Sequence, residues 1–177
     1  MESSKPETRP MGMGWMGFPH RGLFYLPVMG RIGEYCMRGL NGKIGIVAGG
    51  GRGIGAATAR RLAEEGAHVV IGDIMGEWAV EVADAIKAAG GKALGVALDG
   101  TSPESQAAIV QAALDEFGGL DFYHSNLAGG TEGDIDALNC SLEVLEKSFA
   151  INAKSHFIAT QAALPVLLER GGGAMIY

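Results

Sequence analysis

Gly49, Gly51, Gly53 and Gly55, with Arg52 among them and Asp73 20 residues past Gly53, are the residues whose types and spacing point to chemistry. The turn fits GxxxGxG through Gly49, Gly53 and Gly55, and GxGxxG/A through Gly51, Gly53 and Ala56. Either spacing lays bare backbone at the start of a helix. There, free N–H groups and the positive end of the helix dipole favour an anion such as a pyrophosphate. An apolar run, Ile44–Ala48, precedes the turn, and a second apolar run closes on Asp73. This is the layout of a βαβ unit that holds a dinucleotide. A carboxylate at Asp73 can accept both ribose hydroxyls and repels a 2′-phosphate. Two unit charges about 4 Å apart at a partly exposed site cost on the order of 4 kcal/mol. NAD is therefore expected over NADP, with Arg52 the feature of the turn that would attract a 2′-phosphate.

Other chemistries find less support. His20, His68, His124 and His156 show no HExxH or other ligand spacing, so no metal site is expected. Cys36 and Cys140 lack CxxC spacing and are too few for a disulfide framework, which reads as reduced thiols in a cytoplasmic protein. The net charge of -6 disfavours a nucleic-acid partner. No apolar run approaches the about 20 residues a membrane span needs.

The elements that must position these residues alternate from Asn41 onward. Strands are expected at Ile44–Ala48, His68–Asp73, Ala93–Asp99, Leu120–Ser125 and from Ala174. Helices are expected at Ile54–Glu65, Gly76–Ala89 and, capped by Ser102 with Pro103 first, to Phe117. Ser141 can cap one long helix to about Arg170, with Pro165 bending it. The strands are apolar on both faces, as in a parallel sheet covered on both sides. The fold class is α/β, a doubly wound, Rossmann-like parallel sheet, incomplete at its C-terminal side. With 177 residues, 47% hydrophobic and 19% charged, the chain suits one globular domain. Residues 1–40 stand apart as an irregular extension rich in glycine and methionine and broken by Pro10, Pro19 and Pro27, so the domain is placed at 41–177.

From about Leu40 to Tyr177 the chain resembles the N-terminal part of the short-chain dehydrogenase/reductase family. The family pattern TGxxxGxG is matched by Ala48-Gly49-Gly50-Gly51-Arg52-Gly53-Ile54-Gly55. The family's acid after the third strand is matched by Asp99, its NNAG stretch loosely by Ser125-Asn126-Leu127-Ala128, and its helix-borne asparagine by Asn152. The resemblance implies a nicotinamide cofactor held by Gly49, Gly51, Arg52, Gly53, Ile54, Gly55, Asp73, Ile74, Asp99, Gly100, Asn126, Leu127 and Ala128. It implies a catalytic part for Asn152 in a proton relay. The reaction it implies is hydride transfer between the cofactor and a secondary alcohol or ketone, with a tyrosine–lysine pair moving the proton. His156, one turn beyond Asn152, reads as a satisfied or exposed histidine. Two departures affect one contact: Ala48 stands for the family's threonine and Ser125 for an asparagine, so the loop after the fourth strand is expected to be held differently.

The family's serine and YxxxK motif are expected after Tyr177. Tyr25, Tyr35 and Tyr123 have no lysine four residues on. The chain alone is accordingly expected to lack dehydrogenase activity. The competing functions are a fragment of an active oxidoreductase, a non-catalytic dinucleotide-binding module, or a remnant without function. The helix from Ser141 resembles one the family uses between subunits, which implies a homo-oligomer for a full-length form.

Overall fold

The computed structural model describes residues 39–130, 132–133 and 135–177. The expected irregular extension therefore lies outside the described residues except for Gly39 and Leu40, and Cys36 lies outside them too. Five strands, β1 (Ile44–Ala48), β2 (His68–Asp73), β3 (Lys92–Ala97), β4 (Phe122–Ser125) and β5 (Ala174–Ile176), form one sheet in the order β3-β2-β1-β4-β5. Every neighbouring pair is parallel. Central β1 sets the register: Ile46 lies opposite Val70 on one side and Tyr123 on the other.

Strand alternation splits the core into two layers. Ile44, Ile46 and Ala48 face one layer with Tyr123. That layer is closed by Ile109, Val110 and Ala113 of α3 (Pro103–Phe117) and by Ala159, Ala163 and Leu167 of α5 (Ser155–Glu169). Val47 faces the other, with Val69 and Ile71. It is closed by Ala56, Ala59 and Ala63 of α1 (Gly53–Glu64) and by Ala79, Val82, Ala83 and Ile86 of α2 (Gly76–Ala88). Helices thus cover both faces, as a doubly wound sheet requires. Gly45 has no room for a side chain, because a Cβ there would fall 1.9 Å from the Phe122 ring on the neighbouring strand.

Asp121 clasps the far end of the sheet. Its carboxylate accepts from the Ile44 N–H at 2.9 Å, Lys43 Nζ at 3.1 Å and Arg170 Nε at 3.1 Å. The starts of β1 and β4 and the end of α5 are tied by this one side chain.

The expected long helix from Ser141 is helical throughout, to Glu169, but not uniform. Between α4 (Leu142–Phe149) and α5 lies a π-helical turn, Ala150–Lys154. Side chains take carbonyls there: Asn152 Nδ2 donates to Ser148 O at 2.9 Å, and Ser155 Oγ to Ile151 O at 2.5 Å. The irregularity therefore sits at Asn152, and α5 runs on through Pro165. Pro165 and Gln161, whose carbonyl loses its N–H partner to the proline, are both exposed residues. β3 also ends before the expected Asp99, because Asp99 Oδ1 turns onward to accept from the Thr101 N–H and hydroxyl.

Candidate functional site

The order of the sheet reverses between β1 and β4. In open α/β sheets ligands bind at such a reversal, outside the carboxyl ends of the strands. A cavity of about 730 Å³ lies there. Gly49, Arg52, Ile54, Asp73, Ile74, Asp99, Gly100, Asn126, Leu127 and Ala128 all line it.

Of the glycine turn, Gly49, Arg52 and Ile54 line the cavity, whereas Gly51, Gly53 and Gly55 do not. Gly49 N and Gly50 N both donate to Gly72 O, at 2.8 and 3.0 Å, which fastens the turn to β2. Gly49 has φ +73, and a Cβ there would lie 2.8 Å from Asn126 O. A Cβ on Gly55 would lie 2.0 Å from Gly49 O, so only glycine lets α1 start this close to the turn. Gly53, in contrast, has φ +57 with nothing within 4 Å of a built Cβ. α1 has no side-chain cap at Arg52, whereas Ser102 and Ser141 cap α3 and α4. The first amides of α1 thus have no capping side-chain oxygen, the arrangement that receives an anion.

Gly51 does not line the cavity, but its N–H donates to Asp73 Oδ2 at 2.9 Å. Asp73 Oδ1 accepts from Met75 N at 3.1 Å. The carboxylate is largely buried, yet an ionised carboxylate has about four acceptor positions, so room for hydroxyl donors remains. On the opposite wall, Asn126 N donates to Ala48 O at 3.0 Å and Asn126 Nδ2 to Gly49 O at 3.2 Å. These bonds tether the loop after β4 to the glycine turn. Ser125, where the resemblance expects asparagine, instead lies 2.7 Å from His156 Nδ1, which joins that loop to α5. Leu127 packs over Gly100, where a Cβ would meet the leucine side chain at 2.5 Å.

Asn152 does not line the cavity, although its neighbours Ile151 and Ser155 do. Its amide holds both backbone groups of Gly129: Oδ1 accepts from Gly129 N at 3.1 Å, and Nδ2 donates to Gly129 O at 2.7 Å. Gly129 itself is part of the wall.

Sequence reasoning misses several lining residues, Leu98, Gly129, Ile151 and Ser155 among them, and two further side chains stand out. Trp78, in the first turn of α2, lines the cavity, and the Arg52 guanidinium lies 3.7 Å over its ring. Gln106 is fully buried on α3, where it joins the Tyr123 hydroxyl through Oε1 to Gly100 O through Nε2. Its only signal is a polar side chain at a core-facing helix position. Burial pushes the Tyr123 phenol above its ordinary value, so this tyrosine stays protonated and is unsuited to act as a base.

The uncapped amides, the partly free carboxylate and the apolar wall of Ile74, Leu98 and Leu127 fit a dinucleotide: diphosphate, ribose hydroxyls and a flat base. Among the described residues, no three His, Cys, Asp or Glu side chains converge to hold a metal, and no helix is long and apolar enough to cross a membrane.

Comparison with known proteins agrees with this geometry. The family model described as short chain dehydrogenase matches residues 43–177. The 2,5-dichloro-2,5-cyclohexadiene-1,4-diol dehydrogenase LinX of Sphingobium indicum is 42% identical over 142 residues, covering 77% of this chain and 54% of that protein. The 4-formylbenzenesulfonate dehydrogenase TsaC1/TsaC2 of Comamonas testosteroni is 39% identical over 137 residues, with 77% and 54% covered. The cyclohexanol dehydrogenase of an Acinetobacter species is 34% identical over 137 residues, again with 77% and 54% covered. The chain spans about half the length of the curated relatives it matches. By the motif, the fold and the family match together, the chain belongs to the short-chain dehydrogenase family.

Proposed function

We propose that the cavity at the carboxyl ends of β1 and β4 binds NAD(H), and that the chain serves the oxidation or reduction of a secondary alcohol or ketone. The observation that carries this is the uncapped start of α1, where Arg52 and Ile54 line the same cavity as Asp73. The amides at the start of α1 hold the diphosphate, and Asp73 accepts the ribose hydroxyls while repelling a 2′-phosphate. Ile74, Asp99, Gly100 and Leu127 flank the base, and Asn126, Leu127 and Ala128 shape the passage beyond the diphosphate. When bound, the nicotinamide supplies the hydride acceptor or donor. Asn152 fixes the Gly129 wall, and its carboxamide takes the part in a proton relay that the family resemblance implies.

Relatives named for a cyclohexadienediol and for cyclohexanol support an alcohol on a six-membered ring as the substrate class. The two cysteines without CxxC spacing support a cytoplasmic setting. Leu142, Leu145 and Phe149, exposed along one face of α4, support a homo-oligomer.

The test is an equilibrium titration followed by nicotinamide fluorescence. NADH is expected to saturate the chain, and NADPH to bind at least about tenfold more weakly, given the Asp73 charge. Equal binding of both would remove the NAD preference. No saturable binding of either would remove the function.

A further inference from the structure

Arg52 and Asp73 stand on the same cavity wall, yet they do not pair. Among the described residues, no carboxylate lies within ion-pair distance of Arg52. Its guanidinium lies over the Trp78 indole, 3.7 Å from the ring centroid. The packing explains why the indole is so placed. A Cβ built on Gly51 would lie 2.7 Å from Asp73 Oδ2 and 2.8 Å from Trp78 Cβ, so the carboxylate and the start of the indole flank the same glycine. Arg52, the next residue, is exposed and extends from there onto the ring face.

We propose that Trp78 is a specificity-determining residue, which holds Arg52 off Asp73 and thereby keeps the site selective for NAD(H) over NADP(H). This role of Trp78 rests on the dinucleotide reading of the cavity. An arginine released from the ring has two destinations, and both change selectivity in one direction. Paired with Asp73, it cancels the charge that repels a 2′-phosphate and competes with the ribose hydroxyls for the carboxylate. Turned towards a 2′-phosphate, it offers the bidentate donor pair that guanidinium presents to phosphate. The stack opposes both by holding the guanidinium over the indole, since moving its in-plane donors to either partner forfeits the cation–π contact. Asp73 then keeps its charge, with only the Gly51 and Met75 amides bound to it.

The test measures NADH and NADPH affinities of the full chain and of three variants. Trp78→Leu keeps apolar volume but has no ring face, and is expected to raise the ratio of NADPH to NADH affinity by about threefold to tenfold, the scale of one cation–π contact. Trp78→Phe restores a ring face and is expected to return most of the selectivity. Trp78→Leu with Arg52→Gln is expected to lose the gain, because the released cation is gone. An unmoved or lowered ratio in Trp78→Leu, with normal NADH binding by the parent chain, overturns the inference alone. A gain that persists in the double variant also overturns it. If the folded parent chain binds neither cofactor, the dinucleotide reading falls and this inference falls with it.

Discussion

The Gly51 N–H donates to Asp73 Oδ2 at 2.9 Å, which joins the glycine turn directly to the carboxylate that ends β2. One side chain thus shapes the turn and offers its remaining acceptor positions to the cavity. Asp73→Asn keeps the shape but removes the charge. The account predicts about tenfold weaker NADH binding and a smaller gap between NADH and NADPH, from lost charge-assisted bonds and lost repulsion. Parallel titrations check this, and an unchanged gap would place the selectivity elsewhere.

Asn152 is predicted to act first as a clamp. Asn152→Ala frees the N–H and C=O of Gly129 and is expected to lower stability by about 1–2 kcal/mol. The exposed setting of this pair favours the lower end. NADH affinity should fall as the Gly129 wall loosens. Chemical denaturation and a titration on the same variant check both effects.

Gln106 couples the core to the cavity. Gln106→Leu leaves the buried Tyr123 hydroxyl without its acceptor and Gly100 O without its donor. A loss of about 2–3 kcal/mol is expected, the cost of stranding a buried polar group and one further bond. Tyr123→Phe in that background should recover part of it, because both ends of the stranded pair are then apolar. A double-mutant cycle measures the coupling.

The Asp121 clasp predicts an acid-side pH dependence. Burial alone would raise this carboxyl, but bonds from the Ile44 N–H, Lys43 and Arg170 outweigh burial and hold it below its ordinary value. A lowered folded-state pKa contributes stability that is present above the unfolded value. It is lost as pH falls through the lowered one, so the window lies below about pH 4. Asp121→Asn is expected to cost about 1–2 kcal/mol at neutral pH, since both cationic partners are partly exposed. Its deficit against the parent chain should shrink below about pH 4. Melting temperatures across that range check it. Tyr123 has the opposite sign. Its raised pKa contributes stability that is lost as pH rises above about 10, the value of an unfolded tyrosine.

Much of this site is legible in the sequence because its signals are local. The glycine spacing, the apolar run on each side and Asp73 at the end of the second run all lie within one βαβ unit, and the structure assembles them as that unit. The remaining features depend on partners far along the chain. Nothing near Trp78 in sequence shows that Arg52 will stack on it. Nothing near Gln106 shows that Tyr123 and Gly100 lie at its two ends. The π-helical turn at Asn152 has no local signal of the kind that proline gives for a bend at Pro165. Here side chains of Asn152 and Ser155 take the carbonyls instead.

The most direct measurement of the central claim is calorimetric titration of NADH into the folded chain and into Ile54→Glu. Ile54 lines the cavity and is 76% exposed, so the substitution adds an anion where the diphosphate is to sit without disturbing the core. A glutamate in the first turn of α1 is itself stabilising by a few tenths of a kcal/mol, about the usual helix-dipole contribution. The account predicts one saturable NADH site in the parent chain, lost in Ile54→Glu while the melting temperature holds or rises. NADH binding that survives in Ile54→Glu, or that is absent from the folded parent chain, would contradict it.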